Sequence, residues 1–169
     1  MPRTQSKTSI IRIPNRVNIT MQWKPNVTVA AVVQQNDHFL LVEENDKGRI
    51  VFNQPAGHLE KNETLIDAVK REVMEETACE FEPEFIVGVY LHPDTGSDIT
   101  YLRVCFAGTV NNQHKDRKLD DGIIRAVWMT TDELNTSVDK MRSAMVRRCI
   151  EDYLSGKRYP LGLLNHYLD

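Results

Sequence analysis

At 169 residues, with 41% hydrophobic and 27% charged side chains, the chain has the make-up of one ordinary soluble domain with a sizeable core. A formal net charge of −3 gives no electrostatic case for a nucleic-acid polymer or an anionic membrane as partner. No apolar run approaches the roughly 20 residues needed to cross a bilayer.

Taken in order, residues 1–22 stand apart. They hold Arg3, Lys7, Arg12 and Arg16 and no acid. This faintly suggests a transit peptide, but a mobile arm, or a true start at Met21, accounts for it better. Val27–Val33 and His38–Glu43 are apolar, β-branched runs joined by a polar turn, and read as a hairpin. After a turn at 45–49, Ile50–Phe52 is a brief strand that leads into Asn53-Gln54-Pro55-Ala56-Gly57, where Pro55 and Gly57 break regular structure. A helix follows from Thr64, a fair N-cap with Asp67 three residues on. Glu84–Leu91, Thr100–Ala107 and Ile123–Met129 read as strands, the last preceded by a polar loop over 111–122. Thr131–Leu134 is a helical turn, and Val138–Leu154 has an apolar stripe that predicts one long helix ended by Gly156. Mixed strands with two long helices imply an α/β (α+β) sheet sandwiched between helices. The domain is expected over 23–162, with a tail over 163–169. Cys79, Cys105 and Cys149 lack metal spacing, and their odd number favours reduced thiols in the cytoplasm.

The most informative stretch is Gly57–Cys79. On its helix, Leu65, Ala68, Val69 and Val73 form the buried stripe, and Glu72 and Glu76 continue that stripe instead of facing away from it. Glu75 crowds the same end. Acids so placed repel one another and resist burial unless a hard divalent cation joins them, and carboxylate oxygens are what Mg²⁺ binds. A Glu-rich helix end is more commonly a solvated face, so the wider spacing decides. Gly57, Glu63, Arg71, Glu72, Val73, Glu75 and Glu76 match the pattern G, five residues, E, seven residues, REU, one residue, EE of the Nudix box, where U is aliphatic. The chain therefore resembles the Nudix hydrolases. It departs from their pattern at Ala78, where they have Gly, and at Cys79, where they prefer an aliphatic residue. Ala78 touches the helix C-terminal turn, not the charges.

The resemblance implies a Nudix-type α/β/α sandwich around a mixed sheet. It implies a Mg²⁺-dependent hydrolase, with Mn²⁺ as a substitute, that cleaves phosphoanhydrides of small phosphorylated compounds. The likeness is nearest to a phosphatase branch acting on nucleoside di- and triphosphates and on the diphosphate of the thiamine pyrimidine precursor. Relatives are monomers or homodimers. Two other readings are a Nudix-fold module that binds a nucleotide without turnover, and a nucleoside-diphosphate-sugar or ADP-ribose pyrophosphatase.

Glu72 and Glu76 are the expected metal ligands, with the Gly57 carbonyl added by the resemblance. Glu75 is either a further ligand or the base that deprotonates the attacking water, since crowded carboxylates raise one another's pKa. The family often places the base on a later loop, which nominates Asp120 and Asp121; an Asp-Asp-Gly turn explains them equally well. Arg71 is expected to clamp Glu63 or a ligand carboxylate. Arg103 either meets substrate phosphate or sits on an exposed edge strand. Asn53 and Gln54 either bond a base or pyrimidine ring or serve a turn. His58 reads as a loop residue, and Lys157, Arg158 and Tyr159 as a basic tail segment.

Overall fold

The computed structural model describes residues 23–94 and 96–167. The basic extension over 1–22 lies outside the described residues.

The strands are β1 (Asn26–Gln35), β2 (His38–Asp46), β3 (Arg49–Asn53), β4 (Ala56–His58), β5 (Cys79–Pro93), β6 (Thr100–Gln113), β7 (Ile123–Thr130) and β8 (Tyr159–Pro160). The helices are α1 (Leu65–Thr77), α2 (Thr131–Thr136) and α3 (Ala144–Leu154). The main path of the sheet runs β3-β2-β1-β6-β5-β8, with β4 paired to β1 and β7 to β2. Only β1 and β6 run parallel among the named pairs, so the sheet is mixed. Two apolar layers cover its faces. One gathers Val29, Ala31, Leu40, Val104 and Phe106 under Ala68, Val69 and Val73 of α1. The other gathers Ala30, Val32, Phe39, Leu41 and Cys105 under Val146, Cys149 and Ile150 of α3. The alternation of β1 thus feeds both layers, which is why VTVAAVV is apolar throughout. The result is the expected α/β/α sandwich.

Helix α1 starts where the sequence places it. Thr64 Oγ1 accepts from the Asp67 backbone N–H at 3.0 Å and donates to the Asp67 carboxylate at 2.7 Å. It ends at Ala78, which takes the left-handed conformation at φ 58° and donates its N–H to Met74. Gly is the usual residue there.

The predicted helix over Val138–Leu154 is shorter than its stripe suggests. A 3-10 turn occupies Val138–Lys140, and α3 begins only at Ala144 behind the Ser143 cap. Long-range bonds account for the break. Met141 bridges to Phe52 of β3, and the Arg142 N–H donates to the Phe52 carbonyl at 2.9 Å. A helix through 141–142 would forfeit both. Strands β5 and β6 are longer than predicted, because their ladder carries on through three register shifts to pair Cys79 with Gln113. Those irregularities hide the alternation that a sequence pattern relies on. Residues 157–159 are not a tail: Tyr159 pairs with Ile86 as part of an edge strand, and Arg158 lies over the Phe85 and Tyr153 rings.

Candidate active site

The last two turns of α1 meet β4 at one edge of the sheet. Glu72 and Glu76 are each only 8% exposed. Glu76 accepts a single hydrogen bond, from the Ala56 N–H at 2.9 Å, among the described residues. Burial, reinforced by the negative charges of Glu72, Glu44 and Asp120, pushes its carboxyl up to about 8. Burial raises Glu72 as well, against the pull of Arg71. Gly57 has a specific reason to be glycine. A Cβ there would lie 2.2 Å from the Glu72 carboxyl group, so the backbone of β4 presses directly on that carboxylate.

Arg71 organises the neighbouring acids. Its Nε and Nη2 donate to the two Glu63 oxygens at 2.8 and 3.0 Å, a bidentate pair. Its Nη1 donates to Glu72 at 2.7 Å and to Glu75 at 2.9 Å, and Nη2 also reaches the His58 carbonyl at 3.0 Å. The guanidinium therefore ties the loop carrying Glu63, the end of β4 and two helix acids together. The Arg71 bonds hold the Glu63 carboxyl below its ordinary range. Among the described residues, no three acid, histidine or cysteine side chains already surround one point as metal ligands do. Arg71 bridges Glu72 and Glu75 instead.

The donor set nevertheless fits a hard divalent cation. Two buried carboxylates, a third beside them and a side-chain-free backbone at Gly57 offer only oxygen, and one arginine faces Glu63, Glu72 and Glu75 together.

The structure separates the two loop aspartates. Asp120 donates its N–H to the Glu75 carbonyl at 3.0 Å, and its charge acts on both Glu72 and Glu76. Asp121 has a side chain 95% exposed and paired with Lys118, away from the acids. Arg103 is not at an edge. It sits on β6 between β1 and β5, buried, with Nη1 3.4 Å from Gln54 Oε1. Asn53 and Gln54 are buried too, at 4% and 1% exposure, which excludes a solvated turn. His58 ends β4.

Sequence reasoning passed over Glu44. This strand residue is buried and takes a 2.6 Å bond from Arg142. Its other oxygen has no partner among the described residues. The signal lay in the pair Glu43-Glu44 on an apolar strand, where alternation must turn one acid inward; Glu44, on the same face as Leu40 and Val42, is the one that is buried. A cavity of about 270 Å³ lies elsewhere, beside β5, and its carboxylate, Asp152, is already held by Tyr90, Arg148 and Lys157.

Known proteins resemble this arrangement along most of its length. The NUDIX domain model matches residues 24–149. Phosphatase NudJ of Escherichia coli K12 is 37% identical over 146 residues, covering 86% of this chain and 94% of that protein. A solved NUDIX hydrolase from Nitrosomonas europaea is 51% identical, covers 85% of this chain and 98% of its own, and superposes with a TM-score of 0.84. The NUDIX domain of Shewanella oneidensis NrtR, solved with ADP ribose, shares the fold at 17% identity and a TM-score of 0.64, covering 79% of this chain and 89% of its own. The chain belongs to the Nudix hydrolases, enzymes that act on phosphoanhydrides.

Proposed function

We propose that hydrolysis here depends on Mg²⁺, with Mn²⁺ as a substitute, and that the substrates are nucleoside di- and triphosphates or the diphosphate of the thiamine pyrimidine precursor, with phosphate released. The observation that carries this reading is the buried Glu72–Glu76 pair, with Glu72 pressed against Gly57 and Glu76 bonded to the Ala56 N–H. Likeness to phosphatase NudJ supports the choice of substrates.

The Gly57 carbonyl, Glu72 and Glu76, with Glu75 beside them, would hold the cation. When bound, it neutralises charge on the anhydride oxygens and lowers the pKa of a coordinated water. Arg71 orients Glu72 and Glu75 through its Nη1 bonds and anchors them to Glu63. Glu75 receives the proton of the attacking water on the oxygen that Arg71 leaves free. Asp120 is the competing base, since it lies at the same helix end. Arg103, Asn53 and Gln54 bind the rest of the substrate.

Phosphate release from a nucleoside triphosphate, with Mg²⁺ and with a chelator, tests the reading. Release only with the cation is expected, and Glu76→Gln should remove nearly all of it. Equal release in the chelator contradicts metal dependence. Ligand binding with no release at all would instead favour a binding module.

A further inference from the structure

The face of the sheet that α3 covers carries a group of aromatic rings past the end of its apolar cluster. Register places Asn26, Tyr101 and His92 in one row across β1, β6 and β5, and Thr28, Arg103 and Tyr90 in the next, with His58 of β4 opposite Thr28. Residues at even spacing on a pleated strand share a face, so Tyr101 and Arg103 project to the same side as Cys105. That side belongs to the α3 layer. Helix α3 reaches as far as Tyr90, whose hydroxyl donates to Asp152 at 3.0 Å. Beyond it, three rings assemble, and no helix among the described residues is in the same apolar cluster as them. Tyr101 stacks on His92 with centroids 5.4 Å apart and planes at 28°, and His58 tilts toward Tyr101 at 6.2 Å.

Polar side chains near them are under-partnered. Arg103 Nε, Gln54 Nε2 and Thr28 Oγ1 are buried with no hydrogen-bond partner among the described residues, the Arg103 and Gln54 side chains lying against the Cys149 and Cys105 thiols. The one bond that ties Arg103 to Gln54 is long, at 3.4 Å. A buried donor left unpaired costs about 1–3 kcal/mol, so a loosely held guanidinium and amide one step along the sheet from the rings mark a place that can take further acceptors.

The acids are one residue away. The His58 carbonyl accepts from Arg71, and its neighbour Gly57 abuts Glu72. The rings lie on one side of the short strand β4 and the carboxylates at the other.

We propose that Tyr101, flanked by His58 and His92, is a stacking platform for a planar heteroaromatic ring on the substrate, with Arg103 and Gln54 donating to acceptor atoms at that ring's edge. The ring stacks there while its di- or triphosphate passes over β4 to the acids. This deepens the phosphoanhydride reading and rests on it: the substrates are those in which a heterocycle, not a plain polyphosphate or an aliphatic group, carries the anhydride.

The test compares the full chain with Tyr101→Phe and Tyr101→Ala on a nucleoside triphosphate and on inorganic tripolyphosphate, in Mg²⁺. For the nucleoside triphosphate, Tyr101→Ala should raise KM about tenfold to a hundredfold with kcat little changed, the scale of one lost base–aromatic stack. Tyr101→Phe, which keeps the ring, should stay within about twofold. The rise should be far smaller for tripolyphosphate, which has no ring to stack. Equal losses in Phe and Ala, or equal losses on both substrates, overturn the platform. If the wild type hydrolyses neither compound, the phosphoanhydride reading fails separately. The platform is then judged by nuclear magnetic resonance of a nucleoside monophosphate titrated with wild-type protein. Upfield shifts of the base protons support it, and unshifted base protons overturn it. The same titration decides the matter if Tyr101→Ala does not fold.

Discussion

Glu76 concentrates the physics of the site in one side chain. Folding raises its carboxyl from 4.5 to about 8. Between those values the native state keeps a proton that the unfolded chain has lost. The native state thus binds more protons there, and stability falls as pH rises. The penalty is absent below the unfolded value and complete above the folded one, where it reaches up to about 5 kcal/mol. The melting temperature of metal-free protein is therefore expected to drop between about pH 5 and pH 8, and Glu76→Gln should flatten that drop. Identical curves for the two proteins would contradict the assignment. In Mg²⁺ the same variant should lose about a hundredfold or more in kcat, because several kcal/mol of charge stabilisation go with the ligand. The loop aspartates give a second contrast. Asp120→Asn should slow turnover, whereas Asp121→Asn, altering a solvated side chain, should leave kcat and KM near wild type. The sequence brought Glu72, Glu75 and Glu76 together because helical spacing is local information. It left Asp120 and Asp121 indistinguishable, since only the contact with Glu75 tells them apart. It missed Glu44 altogether, because the run Phe39–Val42 is buried on both faces and so does not show which of the two acids after it is covered.

Elements begin and end where local chemistry agrees with long-range bonds. Helix α1 was legible at both ends: Thr64 caps it, and the departure from Gly at Ala78 falls on a left-handed residue. Alanine pays about 1 kcal/mol or more in that conformation, but its methyl is buried, which offsets part of the strain. A β-branched residue has no such escape. Ala78→Val should lower stability by about 2 kcal/mol or more in denaturant unfolding, with strain and crowding acting together. An unchanged midpoint would show that the turn relaxes. The start of α3 was not legible. Its apolar stripe runs back to Val138, yet the bonds from Met141 and Arg142 to β3 end the helix at Ser143. The same Arg142 pairs with buried Glu44 at 2.6 Å, while Arg125 pairs with Glu43 nearer the surface. Arg142→Ala should then cost about 2 kcal/mol or more by stranding a buried charge, and Arg125→Ala less than about 1 kcal/mol. Equal costs would mean that Glu44 finds water or another donor.

At the scale of the whole molecule, one mixed sheet puts two different surfaces on either side of β4. The class of fold was readable from the order of strands and helices, and the box named the family. The neighbours across the sheet were not readable. Arg103 seemed as suited to an edge as to a pocket, because sequence order does not say that β6 lies between β1 and β5. Among the described residues no helix is long and apolar enough to cross a membrane. What unites the molecule is the claim that Gly57, Glu72 and Glu76 hold a divalent cation. A crystal soaked in Mn²⁺ and measured at the manganese edge tests it most directly. The account predicts an anomalous peak within coordination distance of the Gly57 carbonyl and the Glu72 and Glu76 carboxylates, with Arg71 still holding Glu63. No peak there, or a peak held only by other residues, would contradict it.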